Sequence, residues 1–218
     1  MIDLHTHTLF SDGCLLPSEL VYRAKVKGYT IIGIADHVDF STIEFVVPKI
    51  AAIARQLTKH YKILVIPGAE ITYVPPQQIA EAVRICRKLG AKVVIVHGET
   101  VAETVPPGTN LSGILSGADI LAHPGKISKS EVQLAKQKNV LLEISAKTSH
   151  RVTDAHVASL ARKYGAKMIF GTDTHNPDNL IDEKGIKQIL KLAKLSWKDF
   201  LEMQTNAMQL IQGLCPKD

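Results

Sequence analysis

The segment LHTHTLFSD (Leu4–Asp12) closes a short apolar run, Ile2–Leu4, with two histidines two positions apart and a carboxylate just beyond. Side chains two apart on an extended segment share a face, so His5 and His7 project together. The arrangement returns near the other end of the chain. There GTDTH places Asp173 and His175 directly after the run Lys167–Phe170. Between these two segments the same punctuation recurs: His37 in IADHVD, Glu70 in PGAEIT, His97 in VIVHGE and His123 in LAHPG. Of the 9 histidines, six fall just after a β-like run, a rhythm that random placement would not produce.

Working outward, seven short apolar runs alternate with amphipathic segments. The runs are Ile2–Leu4, Thr30–Ala35, Ile63–Ile66, Lys92–Val96, Asp119–Ala122, Val140–Ile144 and Lys167–Phe170. Most lack polar alternation, as parallel strands covered on both faces require. Helices are predicted over Pro17–Lys27, Val46–His60, Gln77–Leu89, Ser130–Lys138 and Asp154–Tyr164, several stopped by a glycine (Gly28, Gly90, Gly165). The connection from His97 to Ala118 is irregular and carries Pro106 and Pro107, so it reads as a loop with a short helix that overhangs the strand ends. Two more helices follow between Glu183 and Gly213, parted near Leu195–Ser196.

Repeated β-α units imply either an open doubly wound sheet or a closed barrel. The polar residues decide between them. An open sheet spreads its strand ends along a line, whereas a barrel gathers them on one ring. Eight units take ~250 residues, so 218 residues accommodate about seven. The expected fold is a distorted seven-stranded (β/α) TIM-like barrel.

Residues 1–218 read as one domain, with no linker, repeat or low-complexity stretch. No apolar run approaches the ~20 residues that cross a bilayer. Cys14, Cys86 and Cys215 are too few and too scattered for a disulfide framework, which points to the cytoplasm. The net charge of +5 suits anionic substrates, yet the lysines spread over helix faces rather than forming one basic patch.

Imidazoles and carboxylates without a cysteine cluster suit Zn²⁺, Mn²⁺ or Fe²⁺. In a closed barrel the last strand neighbours the first, so His5, His7, Asp173 and His175 should meet. Glu70 has two oxygens with which to bridge two ions. His97 and His123 are expected across from His5, and Asp12 and His37 join His175 in a third group. Asp36 is read as a group that orients a ligand histidine. Glu143, inside the sixth run, either points into the barrel mouth or pairs with a buried lysine. Cys14 is read as a packed thiol, His60 and His156 as surface residues, and His150 as a candidate substrate contact. Phe10, Phe40 and Phe45 belong either to the pocket wall or to the core.

This ordered set resembles the PHP family, named for polymerase and histidinol phosphatase. The strand-ending HxH, the DH of Asp36 and His37, Glu70, the spaced His97 and His123, the DxH of Asp173 and His175, the SDG at Ser11–Gly13 and the TNA at Thr205–Ala207 all match, over essentially the whole chain. The resemblance implies a distorted seven-stranded barrel holding two to three divalent ions and hydrolysing phosphate esters. It assigns His5, His7, Glu70 and Asp173 to one ion, Glu70, His97 and His123 to a second, and Asp12, His37 and His175 to a third. Some relatives carry histidine where this chain has Asp12. Glu70, Asp173 and His175 are the candidate catalytic residues, and water acidified by the ions is the expected nucleophile.

Arg151, Lys147 and Lys126 lie on loops at the same end and are the candidate phosphate contacts. A phosphomonoesterase of a small metabolite, such as histidinol phosphate, is the leading expectation. A phosphodiesterase or exonuclease acting on nucleic-acid ends is the alternative. A non-catalytic module would have lost ligands, and a carbon–nitrogen hydrolase on a similar barrel would not need the DH pair.

Overall fold

The computed structural model describes residues 1–214, so Cys215 lies outside the described residues. Strands β1 (Ile2–Asp3), β2 (Ile31–Ile34), β3 (His37–Val38), β4 (Leu64–Ile71), β5 (Val93–His97), β6 (Ile120–Ala122), β7 (Leu141–Ser145) and β8 (Met168–Gly171) pair in parallel throughout. Both β2 and β3 lie against β4, so together they form one stave broken at Ala35–Asp36. The sheet therefore has seven staves. It closes where Thr6 bridges Thr174, with the His7 amide donating to the Thr174 carbonyl at 2.8 Å and the Asp173 amide to that of His5 at 3.0 Å.

Eight helices surround the strands: α1 (Pro17–Val26), α2 (Ile43–Tyr61), α3 (Ile79–Lys88), α4 (Thr109–Leu115), α5 (Lys129–Lys138), α6 (Asp154–Tyr164), α7 (Glu183–Leu192) and α8 (Trp197–Leu214). Pro17 starts α1, where its missing N–H leaves no intrahelical bond unmade. A capping box between Ser128 and Glu131 sets the start of α5 one residue earlier than its sequence suggests. No described helix is long and apolar enough to cross a membrane.

The third strand departs most from its sequence pattern. Its apolar run ends at Ile66, yet β4 continues through Pro67-Gly68 to Ile71. The Pro67 carbonyl still accepts from the Lys92 amide at 2.7 Å, so a ladder bond survives on its other side. Glu70 thus sits within a strand rather than after one. Ile66, Gly68 and Glu70 share one face, which carries the carboxylate inward.

Alternation along the strands builds two apolar layers. Val94, Val96, Leu121, Leu142, Ile144 and Phe170 pack outward against the helices. Ile2, Leu4, Ile31, Ile66, Val93, Ile95, Ile120, Leu141 and Ile169 fill the interior with Ala207 and Ile211 of α8. Helix α8 covers the amino end of the barrel. Gln204 holds both the amide and the carbonyl of Ile2, at 2.6 and 2.9 Å, and the Asn206 amide donates to the Met168 carbonyl at 2.9 Å. The TNA segment is thereby a floor contact.

Candidate metal centre

At the carboxyl end the apolar filling stops and titratable side chains take its place. His5, His7, Glu70, His97, His123 and Asp173 are each buried to within 2% of full enclosure, while Asp12, His37 and His175 form a more open rim. His7 Nε2 lies 3.1 Å from Asp173 Oδ1 and 3.5 Å from Glu70 Oε2. His5 Nε2 is 3.2 Å from Glu70 Oε2 and 3.8 Å from Asp173 Oδ1. The other Glu70 oxygen, Oε1, is 3.5 Å from His123 Nε2. On the rim, Asp12 lies 3.2 Å from His175 Nε2 and 3.6 Å from His37 Nε2.

The donor atoms gather into four compact groups: His7 with Asp12, His37 and His175; His5 with His7 and Asp173; His5 with Glu70 and His123; and His123 with His150 and Asp173. The rim trio read from sequence therefore meets and gains His7. His123 stands beside His5, ring centroids 5.8 Å apart, rather than across from it. His97 enters none of the four groups among the described residues; its Nε2 is 3.1 Å from Glu103 Oε2. The chain leans His123 toward His5 by an uncommon backbone, φ 28°, and Asp173 is likewise left-handed at φ 52°. Such conformations persist where surrounding structure imposes them, and they collect at functional sites.

These residues fit divalent cations on a physical test. His5 Nε2, both ring nitrogens of His7, both oxygens of Glu70 and both of Asp173 are buried without a hydrogen-bond partner. A buried polar group left unpaired costs about 1–3 kcal/mol, a cost that a cation shared by several such groups would offset. Burial alone would raise the Glu70 carboxyl, but the imidazoles of His5 and His37 outweigh it and hold it well below the carboxylate range. The Asp173 carboxyl is lowered in the same way by His5 and His7. Burial, with His37 beside it, lowers His7 to about 3, which keeps its ring in the neutral form that can ligate.

The PHP domain profile matches residues 3–210. The chain belongs to the PHP domain family. An uncharacterized protein of Methanocaldococcus jannaschii is 42% identical over 189 residues, covering 86% of this chain and 87% of its own. The DNA polymerase/3'-5' exonuclease PolX of Bacillus subtilis is 22% identical over 203 residues; the match spans 84% of this chain but only 35% of PolX. Among solved structures, a chain of the archaeal ribonuclease P complex with mature tRNA superposes with a TM-score of 0.75 at 15% identity, over 97% of this chain and 90% of that one, which shows a shared fold.

Within this PHP domain the supporting residues are as specific as the donors. Glu143 points into the barrel, and its Oε2 is 2.5 Å from His5 Nδ1, which directs His5 Nε2 at the cluster. Gly171 makes room for that contact, since a Cβ there would stand 2.8 Å from Glu143 Oε2. Thr72 Oγ1 and Glu70 Oε2 lie 2.7 and 2.8 Å from His37 Nδ1. Asp36 has a different task from the one its DH motif suggests. It accepts from the Thr8 amide, the Thr8 hydroxyl and Ser11 at 2.6–2.8 Å, and so ties down the loop between His7 and Asp12.

Of the three cationic candidates, Lys147 reaches the centre, with Nζ 3.2 Å from Asp173 Oδ2 and 3.4 Å from both ring nitrogens of His175. Arg151 is half-buried on the same loop, and Lys126 is exposed. Cys14 is exposed rather than packed; it lies between the SDG segment and α1, and its amide donates to the His175 carbonyl at 2.8 Å. His60 and His156 are exposed as their helical positions suggest. Phe40 and Phe45 are exposed, and Phe45 meets Phe10 edge-on at 6.2 Å, so neither exposed ring belongs to the core. Of the two readings of Glu143, the one that points it into the barrel mouth holds; Glu103 and Thr100 had no pattern to single them out beyond an acidic residue on the loop after His97.

Proposed function

We propose that this protein is a metal-dependent phosphoesterase that hydrolyses phosphate monoesters of a small metabolite, in the manner of a histidinol phosphatase. The observation that carries it is the buried, mutually unpartnered set of imidazole nitrogens and carboxylate oxygens at the carboxyl end of the barrel. His5, His7, Glu70 and Asp173 would hold one ion, Glu70 with His123 and His97 a second, and the rim residues Asp12, His37 and His175 a third. Such ions, when bound, neutralise phosphate oxygens and acidify water to a nucleophile near neutral pH. Zn²⁺, Mn²⁺ and Fe²⁺ all suit this donor set.

The chain's own residues supply orientation and charge. Glu143 holds His5 in one ring orientation, and Glu70 presents an oxygen to each side of the cluster. Lys147, 25% exposed, has an ammonium free to turn from Asp173 to an entering phosphate oxygen, with Arg151 behind it on the same loop and Lys126 further out. The deep placement of His5 and His7 favours a slim phosphomonoester over a polymer. The described cysteines are unpaired, which suits the cytoplasm.

The purified protein should hydrolyse p-nitrophenyl phosphate, lose that activity to a chelator and recover it with Mn²⁺ or Zn²⁺. Removing a cluster of ions from phosphoryl transfer forfeits several kcal/mol, so the His5→Ala/Asp173→Ala variant should fall by about a thousandfold or more. Undiminished turnover in that variant would end the proposal.

A nucleic-acid end is the second reading, favoured by the similarity to PolX and by Tyr73, 58% exposed and stacked 6.2 Å from His97 at the mouth, where a base could rest. Faster turnover of a labelled oligonucleotide than of small monoesters, with binding suppressed by salt, would favour it.

A further inference from the structure

One buried histidine of the mouth belongs to no ligand set drawn from the sequence. His150, on the loop between β7 and α6, is 1% exposed, and its ring stacks on that of His123 at a centroid distance of 4.1 Å. Its Nδ1 lies 2.8 Å from the Thr100 hydroxyl, which fixes the ring's direction. Its Nε2 has no hydrogen-bond partner and faces two carboxylates, Asp173 Oδ2 at 3.5 Å and Glu103 Oε1 at 3.4 Å. Glu103 comes from the other side, on the loop between β5 and α4. Its second oxygen lies 3.1 Å from His97 Nε2, while His97 Nδ1 is 3.1 Å from the Gly98 carbonyl.

The spacing is informative. The 3.4 and 3.5 Å separations around His150 Nε2 exceed the ~2.7–3.2 Å of an N–H···O hydrogen bond. They match donors that share a cation, since metal–ligand distances of ~2.1 Å put neighbouring donors of a tetrahedral ion ~3.4 Å apart. Lys147 reaches Asp173 but pairs with neither Glu103 nor His150. His150 Nε2, His123 and Asp173 already form one compact donor group.

The geometry points to His150 and Glu103 as two further protein ligands of the ion on the His123 side of the centre. His150 is aimed by Thr100, and Glu103 is delivered by the loop that crosses the mouth. This assignment rests on the metal-centre reading above. Glu103 and His97, 3.1 Å apart, both stand outside the compact groups among the described residues, and Glu103 approaches the ion with the oxygen that faces His150 at 3.4 Å.

Equilibrium dialysis against Mn²⁺ gives the number of ions per chain and the affinity of each, without reference to turnover. Glu103→Gln changes a partly exposed loop residue and should fold normally; His150→Gln keeps a polar group beside Thr100. Each variant should weaken one ion by tenfold or more and leave the others unchanged. Unaltered stoichiometry and affinity in both variants would overturn the assignment, as would the loss of all ions together, which would mark a general disturbance of the mouth. Should the unaltered protein bind no Mn²⁺ or Zn²⁺, the metal-centre reading itself fails, an outcome distinct from either.

Discussion

The two ends of the barrel treat buried polar atoms in opposite ways. At the amino end, each polar side chain that α8 brings to the interior is paired: Gln204 with both backbone groups of Ile2, and Asn206 with the Met168 carbonyl. At the carboxyl end, 11 buried nitrogen and oxygen atoms from eight residues have no partner among the described residues. Yet the ends lie one step apart on the same strands. Ile95 fills the interior and His97, two residues on, enters the mouth. One end stores stability and the other spends some of it to keep ligands in place.

The comparison can be broken from either side. Ile95→Ala opens a cavity in the fully buried interior and should lower unfolding free energy by about 2–5 kcal/mol. Denaturant melts would show this, while the number of bound ions per folded chain should stay unchanged. Altered ion binding would mean the ends are not separable. Glu143 lies on the boundary, because it stands above Leu141 and holds His5. Loss of such an orienting partner weakens metal binding by about 10–100-fold. Glu143→Gln should therefore lose affinity in a Mn²⁺ titration, with a smaller effect on the melt than Ile95→Ala.

The last test is electrostatic. Asp154 begins α6 beneath the mouth, and burial holds its carboxyl up at about 8, against about 3.9 in an unfolded chain. The folded state thus binds the extra proton between those values, so stability falls as pH rises from about 4 to about 8. Asp154→Asn removes that titration. Its melting temperature should decline less between about pH 5 and about pH 8 than that of the unaltered protein, and an equal decline would show that Asp154 does not titrate in this range.

Much of the fold was legible because its signals are local. The staves and helices follow from apolar runs, caps and stops, and α6 spans Asp154–Tyr164 as its pattern indicates. Where a signal was weak the reading stopped short: the third run was bounded at Ile66, but β4 continues through Pro67-Gly68 to Ile71. Among the described residues, eight of the nine candidate donors gather in compact groups and His97 stands apart; imidazoles and carboxylates at strand ends have few other reasons to be there. Their supporters were less legible. Glu143 is one acidic residue in an apolar run, and nothing nearby in sequence says that His5 is its partner.

The sequence by itself determined the seven-stave barrel, the end at which its chemistry lies and the residue types that meet there, since periodicity and strand-end placement are properties of short segments. Only the tertiary structure decided which donors share a space. It set His123 beside His5, gave Asp36 to the Thr8–Ser11 loop, left Cys14 outside and brought His150 and Glu103 to the mouth. Those outcomes depend on strand stagger, backbone twist at His123 and Asp173, and the path of one crossing loop. These are distances between segments remote in sequence, fixed only when the barrel closes.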